Sequence, residues 1–351
     1  NYTNANDYNV FVQRLENDMN YVLDEYTLDG TFVRHIFTNN FHCTNQTWKL
    51  LYANNQELIF YVEDYDLGNY LYTVPLMLAD GSSFPQMKKA KKICKCNKEL
   101  EEPRQGDVYA DSDYIVYQDG MYQIHVYDRK KKTFVKIKGI PETNMYLSGL
   151  VGKYFILSSK PYKEKGKEKY AFSYYKIGSD QIHIMDPACY TSAAAIGDKK
   201  RKQVIYALRK GIWTYDLKQD KKKRLVKWNK KDYVSEMCIR KDRLFVFTGE
   251  KDEVYSYSLT GKEKQLHYEK ELTETLKKFE QQNDLELVID SVDVVNNKIC
   301  IHSWQDDEYL IYLCYDPATK QLKKVRKSDP EMFCFLLCRD GASVDEWDRD
   351  E

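Results

Sequence analysis

The chain has 351 residues, 42% hydrophobic and 14% aromatic, and its 54 basic and 54 acidic side chains leave a formal charge of zero. That length exceeds what one ordinary core supports, which leaves two domains or a repeat fold of small cores. The balanced charge excludes a global field for nucleic acid or an anionic membrane, and no apolar run reaches the roughly 20 residues of a membrane helix.

The chain opens NYTNANDYNV with no initiating Met and no signal peptide. The expectation is that an N-terminal portion has been removed, with an export signal or lipid-anchor segment as one explanation and a trimmed expression product as another. Three alternating apolar runs follow, NVFVQRL, NYVLDEYTL and TFVRHIF. They predict three strands of a first unit whose innermost strand is missing. Later units have four strands each, as in CYTSAAAIG, QVIYAL, GIWTYDL and KRLVK.

An aromatic near the end of each third strand serves as a marker: Tyr26, Tyr72, Tyr127, Tyr175, Tyr215, Tyr257 and Tyr315. Their spacing averages about 48 residues, within the range of a four-stranded propeller blade. The links within a unit are too short for parallel crossovers, so the sheets are antiparallel. The resulting expectation is an all-β, seven-bladed β-propeller over residues 1–351 as a single domain. The apolar run MFCFLLC (332–338) is expected to complete the first blade and remove the open edge. Two insertions interrupt the repeat. Residues 158–172 (SSKPYKEKGKEKYAF) read as a lysine-rich hairpin loop in blade four. Residues 268–283 place Leu272, Leu276 and Phe279 at helical spacing, a short helix between blades six and seven.

The hairpins repeat one pattern, aromatic alternation followed by a polar turn rich in lysine: IWTYDLKQDKK and YSYSLTGKEK, with IHVYDRKKK and YLCYDPATKQ alongside. This pattern resembles the repeats of bacterial extracytoplasmic β-propellers related to the YWTD propellers of lipoprotein receptors. The tetrapeptide itself is absent, WTYD at 213–216 being the nearest approach. The resemblance implies an exported or surface-attached binding protein and names no ligand.

Chemistry-bearing motifs are sparse. Nine cysteines lie mostly in apolar strand-like runs and read as small core residues, and Cys94-Lys95-Cys96 is one residue short of a CxxC pair. The six histidines show no metal spacing, and no phosphate loop, GxSxG elbow or HExxH occurs. Neither a cofactor nor a metal is expected. Acidic residues instead concentrate in loops joining second to third strands, ENDMN, VEDYDLGN, YQDGM, TGEKDE and SWQDDE. Glu63, Asp64, Asp66, Asp252, Glu253, Asp306, Asp307 and Glu308 are the candidate ligand-binding residues there, with Tyr65 and Trp304 as stacking surfaces. The opposite loops, GDKKRK, DRKKK, KQDKKKR, IRKDR and TGKEK, carry Lys130, Lys131, Lys200, Arg201, Lys222 and Lys223.

Two readings of this charge are open: a disc polarised between acidic and basic faces, or polar residues that simply populate exposed turns. Three functions follow. The first is a noncatalytic extracytoplasmic scaffold, a monomer, holding an unknown protein, peptide or glycan, with no sequence-specific nucleic acid. The second is a propeller hydrolase or lyase with carboxylates at the central mouth. The third is an intracellular platform of the WD type.

Overall fold

The computed structural model describes residues 2–5, 9–16, 20–27, 32–79, 82–85, 87–96, 103–140, 145–159, 162–164, 167–189, 195–208, 211–227, 234–240, 243–248, 254–262, 264–266, 270–295, 298–305, 309–316, 318–328 and 343–345. Among these, strands form antiparallel sheets in which sequence neighbours are spatial neighbours. The first sheet is built from Tyr2–Ala5, Asn9–Glu16, Asn20–Thr27 and Phe32–Asn40. The second holds Gln46–Ala53, Glu57–Asp64, Gly68–Ala79 and Lys91–Lys95. The third comprises Pro103–Ala110, Tyr114–Asp119, Ile124–Asp128 and Thr133–Val135. In the fourth are Met145–Val151, Tyr154–Ser159, Lys167–Lys176 and Ile182–Cys189. The fifth contains Ala195–Asp198, Gln203–Leu208, Gly211–Asp216 and Lys221–Lys227. Val234–Arg240, Arg243–Thr248, Val254–Ser258 and Gln265–Leu266 make the sixth. The seventh consists of Val288–Val295, Lys298–Gln305, Tyr309–Asp316 and Gln321–Ser328. Each tyrosine marker lies in the third strand of a different sheet.

The chain divides into two compact units, one of Asn1–Cys96, Asp252–Ser256 and Gln265–Glu351, the other of Asn97–Lys251 and Tyr257–Lys264. Within each, apolar clusters sit between consecutive sheets. Phe11 and Leu23 of the first sheet pack on Leu50, Leu58, Phe60 and Val74 of the second. Val116 and Val126 of the third meet Leu147, Leu150, Phe155 and Tyr175 of the fourth. Val151, Phe172 and Tyr174 of the fourth meet Val204, Tyr206 and Tyr215 of the fifth. Sheets covered on both faces explain why Glu57–Asp64 is buried almost throughout rather than at alternate residues. They also enclose whole tyrosine side chains. Tyr61 and Tyr175 are fully buried and keep their hydroxyls satisfied internally, Tyr61 accepting from Asn69 Nδ2 at 2.7 Å and Tyr175 donating to the Ser179 carbonyl. Packing between the fourth and fifth sheets is close enough that a Cβ at Gly197 would fall 2.5 Å from Val151 Cγ2, so glycine is required there.

A buried glutamine links neighbouring sheets in each unit. Gln13, fifth residue of its strand, donates from Nε2 to the Trp48 carbonyl and accepts the Leu50 N–H at Oε1, 2.6 Å. Gln118, also fifth in its strand, donates to the Met145 carbonyl at 2.7 Å and accepts the Leu147 N–H at 3.1 Å. In both cases the clasped strand loses register one residue beyond, with Leu51 and Ser148 unpaired in the ladder. The side-chain amide thus supplies partners to main-chain groups at a bulge, where the ladder is disrupted.

The structure differs from the sequence reading in the first sheet. The first sheet has its own innermost strand, Tyr2–Ala5, in register with Val10–Gln13; its polar residues carry no alternation to announce it. Beyond it lies a tail strand, Ser343–Asp345, antiparallel to Tyr2–Asn4, whereas the run 332–338 lies outside the described residues. The hairpin read within residues 158–172 is present in the fourth sheet, Tyr162–Glu164 pairing antiparallel with Lys167–Lys169. The helix spans Lys270–Asn283 with Leu272 and Leu276 buried.

Candidate binding site at the acidic hairpin

Asp64 ends the second strand of the second sheet, and its Oδ1 accepts the N–H groups of Asp66 at 3.1 Å and Leu67 at 2.9 Å. This Asx turn lets the chain reverse in three residues. Gly68, at φ +95°, supplies the conformation that closes it and pairs back across to Asp64. The other Asp64 oxygen accepts from Gln46 Nε2 at 2.7 Å, which ties the turn to the first strand. That bond, followed by the two turn amides, holds the Asp64 carboxyl below the usual carboxylate range, against the cost of burial.

Neighbouring groups stiffen the tip. The short helix Phe41–Thr44 ends at Asn45, whose carbonyl accepts the Tyr65 N–H at 3.2 Å and whose Nδ2 donates to Asp66 Oδ2 at 2.9 Å. Phe41 meets the Tyr65 ring edge-on at 5.2 Å, and the Tyr70 hydroxyl donates to the Leu67 carbonyl at 2.8 Å. Glu63 accepts from Thr47 Oγ1 at 2.8 Å and faces Lys49 Nζ at 3.8 Å. The outcome is two apolar side chains held out on a braced turn, Tyr65 at 66% and Leu67 at 58% exposure.

Of the candidates, Glu63, Asp64, Tyr65 and Asp66 therefore come together, but the three carboxylates form hydrogen bonds that build the hairpin. Leu67 was missed by sequence reasoning; its signal was an apolar residue between Asp66 and Gly68, in a turn otherwise polar. Asp252, Glu253, Asp306, Asp307 and Glu308 lie outside the described residues, and Trp304 stands in its strand opposite Leu310. The third sheet builds a similar turn. Asp119 Oδ1 accepts from Met121 N at 2.9 Å and Gln123 N at 2.8 Å, its Oδ2 lies 2.7 Å from His125 Nε2, and Met121 is exposed.

Within the third and fifth sheets the lysine-rich turns lie at the opposite end from the second-to-third-strand hairpin, as antiparallel order requires. Aspartates open these turns too. Asp128 Oδ1 accepts from the amides of Lys130 and Lys131, Asp216 Oδ1 from those of Lys218 and Gln219, and Asp198 Oδ1 from that of Arg201. Four residues beyond these aspartates, Lys132, Asp220 and Lys202 adopt left-handed φ of 54°, 56° and 55°. The cations are partly neutralised in place: Lys130 meets Asp113 at 2.8 Å, Lys131 meets Asp128 at 3.8 Å, Arg201 meets Asp198 at 3.2 Å and Lys222 meets Asp186 at 3.0 Å. The Lys130 ammonium holds Asp113 below the usual carboxylate range, and Asp113 raises Lys130 in turn. Lys200 and Lys223 are exposed.

Two further polar groups escaped the sequence reading. Tyr174 and Tyr215 both donate to Asp220 Oδ1, at 2.9 and 2.5 Å, joining the fourth sheet to the turn of the fifth. On the first sheet, Thr38 Oγ1, His35 and Asp24 Oδ1 stand in series at 3.0 and 2.9 Å. The order is that of a hydroxyl, base and carboxylate relay. His35 is 48% exposed, however, so water competes for its ring nitrogens, and the series acts as a cross-strand brace.

No family model matches the chain, and no curated protein matches it in sequence. Among solved structures it is similar to oligopeptidase B from Leishmania major, with a TM-score of 0.50 at 10% identity over 81% of this chain and 42% of that one. It is similar to an oligogalacturonate lyase in complex with manganese, at 0.49 and 8% identity over 91% and 85% of the two chains. The nidogen/laminin complex gives 0.41 and 10% over 81% and 94%. At such identity the likeness shows a propeller-like all-β fold alone.

Proposed function

We propose that the chain is a noncatalytic binding scaffold, a seven-bladed β-propeller whose ring is closed by the tail strand Ser343–Asp345 beside Tyr2–Ala5, holding a protein, peptide or glycan on its acidic hairpins. The observation that carries the reading is the apolar tip of Tyr65 and Leu67 on a turn braced from three sides. A side chain that costs solvation when exposed, on a loop already ordered, binds with little further loss of entropy. The adjacent carboxylates support the noncatalytic reading, because Glu63, Asp64 and Asp66 are engaged in holding the hairpin. Placement outside the cytoplasm, as a monomer, extends the sequence resemblance to extracytoplasmic propellers.

The test is a screen of peptides and glycans against the whole chain, with and without calcium, repeated with the Tyr65→Ser/Leu67→Ser double variant. Burial of the two side chains is worth about 2–3 kcal/mol, so ligands of the native chain are expected to weaken by roughly thirty-fold or more in the variant. Ligands retained equally by the variant would refute the site. Turnover of any of them would refute the noncatalytic reading.

A further inference from the structure

The last strand of the fifth sheet, Lys221–Lys227, is the outermost of its sheet and pairs, among the described residues, with Gly211–Asp216 alone. Its sequence KKKRLVK opens with four consecutive cations, Lys221, Lys222, Lys223 and Arg224, all exposed. Successive side chains of a strand point to opposite faces, so Lys222 and Arg224 stand on one face of the sheet and Lys221 and Lys223 on the other. Every second residue of an edge strand also turns its N–H and C=O away from the sheet.

Little of this charge is answered within the chain. Lys222 Nζ lies 3.0 Å from Asp186 Oδ2 of the fourth sheet. Among the described residues Lys221, Lys223 and Arg224 have no ion pair. Asp216, opposite Lys221 in the ladder, gives its Oδ1 to the amides of its own turn. The two cations on the face of Trp213 are steadied by its ring: Lys222 Nζ is 5.5 Å and Arg224 Cζ 5.9 Å from the ring centroid, and Trp213 pairs with Arg224 in register. Beyond Arg224 the edge closes. A bulge shifts the register at Leu225, and Gly261, in the last turn of the sixth sheet, comes so near that a Cβ there would fall 2.0 Å from the Leu225 carbonyl oxygen. The open stretch of the edge is therefore the cationic one, residues 221–224.

We propose that this edge docks an extended acidic peptide, added as a further strand whose consecutive carboxylates stand opposite residues 221–224. Other occupants match it less well. A second copy of the strand would bring four cations against four, which is how edge lysines deter pairing between like edges. A linear anionic polymer lying across one face meets only alternate cations and leaves the main-chain groups of the edge unused. An added peptide strand uses both. Its side chains alternate between the two faces, about 4.5–5.5 Å from those opposite, while its main chain extends the ladder. Trp213 reduces the ordering cost, since two of the four cations are held before the peptide arrives.

The experiment titrates the whole chain, at low ionic strength, with a capped decapeptide of threonine and valine that carries four consecutive glutamates. Its controls are the same peptide with glutamine for glutamate, and two forms N-methylated at alternate amides, one in each phase. The glutamate peptide is expected to bind about tenfold or more tightly than the glutamine form, to weaken as salt rises, and to slow hydrogen exchange within Lys221–Lys227. One N-methylated form should bind like the parent and the other about tenfold or more weakly, because only one phase of amides faces the edge. Lys221→Glu/Lys223→Glu should lose the glutamate peptide and gain a lysine counterpart, a gain that a misfolded variant would not show. Tyr65→Ser/Leu67→Ser should bind the peptide as the native chain does, which separates this edge from the acidic hairpin. Equal binding of both N-methylated forms would mean a site for anionic polymers in general and would overturn strand addition. No binding at low salt, or unchanged exchange in Lys221–Lys227, would overturn the docking edge and leave the lysines as a guard against edge pairing.

Discussion

Replacing Gln118 with leucine removes a clasp between the third and fourth sheets while nearly preserving volume. Gln118 is fully buried, and its amide donates to the carbonyls of Tyr122 at 2.8 Å and Met145 at 2.7 Å and accepts the Leu147 N–H at 3.1 Å. Leucine fills the space but offers no partner to any of them. A buried N–H left unpaired costs about 1–3 kcal/mol, and carbonyls deprived of a donor add to it. The expected loss is about 3 kcal/mol, read as a lower urea midpoint at unchanged slope. The same figure predicts that the Leu147 amide exchanges on the order of a hundredfold faster, through local opening at the bulge. Gln118→Glu keeps the acceptor and loses the donors, and as a buried carboxylate it is expected to recover part of its stability in acid, where the protonated group donates once. A Gln118→Leu protein within about 0.5 kcal/mol of the native one, or with unchanged exchange at Leu147, would refute the clasp.

Two other substitutions probe the turns. Asp220 is held below the usual carboxylate range first by the Tyr215 hydroxyl and then by that of Tyr174. A depressed folded pKa gives stability that is present above the unfolded value near 3.9 and lost as pH falls through the folded value. Asp220→Asn is therefore expected to lower Tm at neutral pH and to match the native protein in acid; the loss should stay under about 1 kcal/mol, because Asp220 is exposed and its charge is screened. Burial, and then the same carboxylate, raise both phenols, so the native chain should lose this contribution as pH rises beyond the ordinary tyrosine range. At Lys132, with φ +54°, glycine relieves a left-handed strain of about 1–2 kcal/mol and costs roughly 0.5–1 kcal/mol in chain entropy. Lys132→Gly should thus raise Tm slightly, whereas Lys131→Gly, lacking that strain, should lower it.

Much of the fold was legible because strand alternation and turn chemistry reinforce one another. In IHVYDRKKK and IWTYDLKQDKK the aspartate that ends the third strand is also the acceptor that folds the turn. Sequence and geometry repeat together for that reason. Tyr2–Ala5 escaped because polar residues pair through their main chain and leave no apolar signature. The glutamine clasp was faintly visible, as one amide at the fifth position of the apolar runs NVFVQ and YIVYQ, but only the neighbouring bulge gives it meaning. For the site, the acidic hairpin was visible and its division of labour was not. Whether Asp64 faces a ligand or its own turn depends on where Asp66, Leu67 and Gln46 place their N–H groups, which composition does not encode.

Which hairpins share a face depends on the proposed ring, and small-angle X-ray scattering of the whole chain reads it directly. One closed body of this length has an expected radius of gyration of about 20 Å and a single-peaked distance distribution. A markedly larger radius with two peaks would mean separate lobes, and would contradict both the ring and the common face on which the proposed ligand is held.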